Sequence, residues 1–220
     1  MPSSWLRALL LLGLLGLFVA LVQYNVIAVA FEKLGLSREA AYLLFVSTLS
    51  GSLINLPLFR MRARPVEREF PGEDLRMLFG LQQAPIAREV TVAVNVGGCV
   101  IPVSFSVYLL AHVDLGAAET LMAVATVALV AYFSSRPLRG IGVVMPFLVA
   151  PVTAALIAGM LDYEQRAPLA YVGGTLGVLL GADLFRLRDI RRLGAPAASI
   201  GGAGTFDGVF ITGLLAVLLA

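Results

Sequence analysis

Asp183 and Asp207 are the residues of this chain best placed to do chemistry, because they are the acids set most deeply into apolar sequence. They lie in one stretch, GADLFRLRDIRRLGAPAASIGGAGTFDGVFITG, residues 181–213. Between them stand Arg186, Arg188, Arg191 and Arg192, then a glycine-rich turn. An aspartate at the centre of a bilayer costs about 2.5–3.5 kcal/mol on insertion scales, so an acid kept there is a functional candidate. Two carboxylates that share a proton split their pKa values, which is what acid–base hydrolysis requires. A single one can bind or pass a proton or a cation.

The composition sets the solvent in which this chemistry would occur. Of 220 residues, 59% are hydrophobic and 14% charged, with a mean hydropathy of +0.92. A soluble domain averages about 45–50% apolar and about 25% charged. The excess of apolar surface implies an integral membrane protein, all-α, as a polytopic bundle of about seven transmembrane helices. The expected spans are about 8–30, 40–58, 89–111, 115–133, 141–161, 168–185 and 199–220. Residues 1–220 then form a single transmembrane domain. Residues 59–88 form a polar cytoplasmic loop between spans two and three, with a small hairpin as its one structured option.

The first span follows Arg7 and resembles a signal peptide, but its apolar run exceeds the about 7–15 residues of a signal h-region. It is read as a retained helix. Ser37 is the expected N-cap of span two. Asn95, Gly97, Gly98 and Pro102 interrupt span three, and Pro146 and Pro151 are expected to kink or break span five.

Charge gives the topology. In this arrangement 13 of the 16 lysines and arginines fall on one side and 3, namely Lys33, Arg38 and Arg166, on the other. The positive-inside rule puts the N-terminus in the cytoplasm and the C-terminus outside. Asn95 then lies roughly 9 Å into the membrane and Asp207 roughly 12 Å, at 1.5 Å per helical residue. Asp183 and Asn55 close the cytoplasmic ends of their spans. The four would share the inner half of the bilayer.

The expected substrate- or ion-binding set is therefore Asn95, Asp207, Asn55, Gly97, Gly98, Gly202, Gly204 and Thr205. The glycines of Gly201–Gly208 weaken a regular helix and would free backbone groups for a ligand. The competing account makes them a close helix crossing and pairs Asp183 with Arg186 or Arg188. Glu32, Glu39, Asp114, Glu119, Asp162 and Glu164 fall near outer span ends and read as solvated. Glu89 begins span three, where it favours the helix dipole.

Several classes of function drop out. Cys99 is alone and can form no intrachain disulfide. His112 has no Cys or His neighbour for a metal site. No nucleotide-binding fingerprint or nucleophile triad is present, so no cofactor and no metal are expected. The arginines form no single patch, which excludes a nucleic-acid partner. The expected partners are the lipid bilayer, an unidentified small molecule or ion, and other copies of the chain in a homo-oligomer.

The blocks AFEKLGLSREA, AVNVGGCVIPVSFSVYLL, APLAYVGGTLGVLLGADLF and LGAPAASIGGAGTFDGVFITGLLAVLLA resemble a family of uncharacterised bacterial and archaeal multi-pass membrane proteins, a domain of unknown function. The resemblance covers nearly the whole chain and implies a prokaryotic plasma-membrane protein, without implying a reaction. A second likeness, of topology alone, is to intramembrane aspartyl proteases of the presenilin and signal-peptide-peptidase type. Those place one acid on a helix running to the cytoplasm and the second on the next helix, in a Gly-x-Gly-Asp motif. Asp183 and Asp207 have that order and would be the catalytic pair. The sequence departs from the motif at Phe206, which stands where glycine is expected, and no Pro-Ala-Leu motif follows. Three functions are thus carried forward: a transporter-like protein, an intramembrane aspartyl protease, and a non-catalytic scaffold.

Overall fold

The computed structural model describes residues 28–63, 89–138, 142–191, 197–202 and 208–220. Helix α1 spans Arg38–Gly51, and the Ser37 Oγ accepts the Ala40 N–H at 3.2 Å, the expected cap. The chain then turns into strand β1, Asn55–Arg62. Strand β2 is Glu89–Asn95. A π-helical turn, Val96–Val100, leads into α2, Ile101–His112, with Pro102 just past the junction of the two. Helix α3 is Ala117–Ser134, followed by the short strands β3 (Arg136–Leu138) and β4 (Gly142–Val144), which pair antiparallel.

Helix α4 is Val149–Leu161. It begins after Pro146 and holds Pro151 in its first turn, so the two prolines set its start rather than kink its middle. Asp162 Oδ1 accepts the N–H groups of Glu164 and Gln165 at 3.1 and 3.0 Å and leads into α5, Arg166–Val178. A second π-helical segment, Leu179–Leu184, extends α5, and the one-turn helix α6, Leu187–Ile190, follows. Strand β5, Ala197–Ile200, and helix α7, Gly208–Leu219, complete the described chain.

The fold is mostly helical, but the all-α expectation is corrected by five strands among the described residues. β2 lies between β1, its antiparallel partner, and β5, which runs parallel to it. Asn55 stands opposite Asn95, and the register shifts between Pro57 and Phe59, beside a residue that cannot donate to the ladder. Span three was read as a helix from Glu89, yet Val90, Thr91, Val92 and Val94 form a strand. β-branched side chains favour the pleated surface, and an apolar run alone cannot separate a buried strand from a helix. The same correction shortens spans two, five and seven, each of which has strand at one end. Phe59–Arg62, placed in the loop, belong to β1. Most of span one and of the loop, with its expected hairpin, lies outside the described residues.

Among the described residues, two helices are long and apolar enough to cross a membrane, Ala117–Ser134 and Arg166–Ile190. Val96–His112, Val149–Leu161 and Gly208–Leu219 are apolar but shorter. A crossing needs about 20 residues, with a range of about 17–25.

Helix α5 is the axis of the bundle and packs against α2, α3, α4 and α7. Small residues let the neighbours approach. Ala150, Ala154 and Ala158 make a fully buried stripe on α4 at helical spacing. A methyl added at Gly177 would stand 2.6 Å from Val127 Cβ, and one at Gly181 would strike the Ala128 backbone. Gly177 and Gly181 form a GxxxG pair, the pattern that brings membrane helices to backbone contact.

Candidate functional site

Asn95 is the point where sheet, π turn and α1 meet. It closes β2, and its Oδ1 accepts the Gly98 N–H at 2.8 Å, capping the π turn. Its Nδ2 donates to the Ser52 carbonyl at 2.7 Å and to Asn55 Oδ1 at 3.1 Å. Both amide protons and the carbonyl are used, and the residue is 3% exposed. Asn55 Oδ1 also accepts the Ser199 hydroxyl at 2.5 Å, which ties β1 to β5 across β2.

The network continues from β5 to Asp183. Gly201, just past the strand, has φ +74°, a conformation only glycine adopts freely. A Cβ there would also lie 2.6 Å from the Gly98 carbonyl oxygen. This turn aims the Gly201 N–H at Asp183 Oδ2, 2.7 Å away. Gly202 packs on the same knot, where a Cβ would be 2.7 Å from Ser199 Oγ and 3.1 Å from Asn95 Cβ.

Asp183 stands on the second π-helical segment and is half-buried. Among the described residues it makes no ion pair. Arg186, an expected partner, is committed elsewhere. Its guanidinium donates to the carbonyls of Tyr132 and Ser135 at 2.7 and 2.9 Å, lies 4.3 Å over the Tyr132 ring, and pairs with Asp189 at 3.2 Å. It thereby caps the C-terminus of α3, where a cation suits the helix dipole. No described residue pairs with the guanidinium of Arg188, the other expected partner.

The structure therefore brings together Asn55, Asn95, Gly98, Gly202 and Asp183 in one polar knot. Gly97 has a different place. A methyl on it would strike the Thr48 carbonyl and the Ser52 nitrogen, so it is the contact point between the π turn and α1. Gly204, Thr205 and Asp207 lie outside the described residues, as does the separation of Asp183 from Asp207.

Sequence reasoning missed Ser199, Gly201 and Thr175. Ser199 and Gly201 were legible only as part of a glycine-rich run, because their partners come from distant segments. Thr175, fully buried in the last turn of α5, has no hydrogen-bond partner for its hydroxyl among the described residues. It packs on α7, where a methyl at Gly213 would be 2.6 Å from its Oγ1. Among the described residues, no group of three or more His, Cys, Asp or Glu gathers as a metal site.

These features define a mostly helical protein with, among the described residues, two membrane-length apolar helices and a small sheet tied to α1 and the π turn by Asn95 and to the α5 extension by the Asp183 carboxylate. Residues 49–219 match the family described as "Protein of unknown function (DUF1614)", and the chain belongs to that family. No curated protein and no solved structure matches the chain.

Proposed function

We propose that this chain is a multi-pass protein of the prokaryotic plasma membrane, N-terminus cytoplasmic and C-terminus outside, that handles a proton or cation in a transporter-like manner. The site centres on Asp183 at the cytoplasmic end of the α5 extension and includes Asp207. One observation carries this: among the described residues, the Asp183 carboxylate is held by one backbone N–H, and neither Arg186 nor Arg188 pairs with it. An acid placed so in an apolar bundle is ready to take up a proton or a cation. Asn95 and Asn55 form the frame, since their amides are consumed by protein partners. The open sheet lies at the membrane surface, because unpaired strand edges are not tolerated in hydrocarbon.

The test is flux in proteoliposomes containing a pH-sensitive dye, under an imposed potassium diffusion potential. Wild-type protein should carry protons or cations, and Asp183→Asn and Asp207→Asn should each lose at least tenfold in rate. Equal flux in all three would end the proposal.

A second function, intramembrane aspartyl proteolysis by Asp183 and Asp207, is favoured by the Gly201–Asp183 bond. It ties the first acid to the start of the segment that carries the second. Cleavage of a transmembrane reporter, lost in both asparagine variants, would select it. If neither flux nor cleavage is found while both variants keep wild-type stability, a scaffold is left.

A further inference from the structure

A groove of about 800 Å³ runs between α3 and the α5 extension. That volume is within the about 300–1,000 Å³ typical of ligand sites. One wall is a single stripe of α3, in which Leu121, Ala125 and Leu129 are exposed. The other wall includes Leu180, Leu184 and Phe185. The close contact at Gly177 and Gly181 holds the two helices together beneath it.

The groove is apolar along its length and polar at one end. Tyr132 and Arg188 close that end, beside the arginine-capped terminus of α3. From Leu121 to Tyr132 the stripe rises about 16 Å, at 1.5 Å per residue. One leaflet is half of a hydrocarbon core of about 30 Å. The exposed Arg188 guanidinium has no ion-pair partner among the described residues, and Arg191 is exposed nearby in sequence. Basic residues at the cytoplasmic mouth of a groove between membrane helices suit anionic headgroups.

We propose that this groove holds one anionic phospholipid of the inner leaflet, its acyl chain along the α3 stripe and its phosphate against Arg188. The inference rests on the membrane assignment above, but not on the proton or cation site. The length of the groove matches a leaflet, and the one charged residue among its described lining lies where a headgroup would be.

The test is native mass spectrometry of the full chain in detergent, titrated with dioleoyl-phosphatidylglycerol or dioleoyl-phosphatidylcholine. Wild-type protein should retain the glycerol lipid in clear preference to the choline lipid. Arg188→Gln should lower that preference about fivefold, the weight of about 1 kcal/mol for one arginine at an anionic surface. Ala125→Phe, at an exposed position facing the groove, should reduce retention of both lipids. Equal retention of the two lipids by wild type, an unchanged preference in Arg188→Gln, or unchanged retention in Ala125→Phe would each overturn the proposal. A carbonate wash of whole membranes separates this from the membrane assignment. A chain that stays in the pellet yet shows no lipid preference loses only the lipid site.

Discussion

Among the described residues, the two longest apolar helices are alike in sequence character and opposite in placement. Within α3, 28% of its apolar window is buried inside the protein, against 72% for Arg166–Ile190. The difference lies in side-chain size. Helix α5 carries Gly173, Gly174 and Gly177, with Ala167 and Ala170, so neighbours can close on it from several sides. Helix α3 turns Leu121, Met122, Leu129 and Phe133 outward and keeps Ala123, Val127, Ala128 and Ala131 buried, with Ala123 and Val127 against the α5 glycines. Hydropathy reports that both are apolar. Residue volume decides which is the axis and which is the wall.

Substitutions can break this comparison. The largest effect is expected for Gly181→Leu. Its side chain would meet the Ala128 backbone, which cannot rotate away, and overpacking of this kind costs about 1–3 kcal/mol or more. Thermal unfolding in detergent should show a drop of many degrees, or no folded protein, while Gly159→Leu on α4, where a Cβ meets nothing, stays close to wild type.

Arg186→Met should come next, because it strips the α3 terminus of charged hydrogen bonds worth about 1.5–3 kcal/mol each in favourable cases. The expected sign is faster hydrogen exchange at the last turn of α3, with α5 little changed. Asn95→Ala leaves the buried Gly98 N–H without its acceptor and cuts the link to α1, at about 1–3 kcal/mol. Proteolysis should then open the sheet before the bundle. The smallest effect is expected for Leu121→Ala. That side chain is 70% exposed on the outer face of α3, and the change should shift detergent stability by no more than about 0.5 kcal/mol. A large loss there would mean that a protein neighbour covers α3, and the contrast with α5 would fail.

Much of the bundle was legible because apolar runs and their breakers act locally. The cap at Ser37, the interruption at Asn95–Gly98 and the limits of α3 all follow from short-range backbone chemistry. The strands were not legible. Glu89–Asn95 is apolar and regular enough to serve as either helix or strand, and its partners are Asn55–Arg62 and Ala197–Ile200, far away in sequence. The GVLLG crossing at Gly177–Gly181 was present as a motif, but its partner on α3 was not.

The candidate site divides in the same way. By itself the sequence determined that the chain is rich in apolar helix, that few polar residues interrupt it, and that Asp183 is among them. Types and spacing fix those features. Only the tertiary structure decided what each polar group does. It consumed the Asn95 amide in framing the sheet, drew Arg186 to the end of α3, and left Asp183 to the Gly201 N–H. Hydrogen bonds are satisfied by whichever partner the fold brings within about 3 Å, and that partner is set by packing across the chain rather than by neighbours along it.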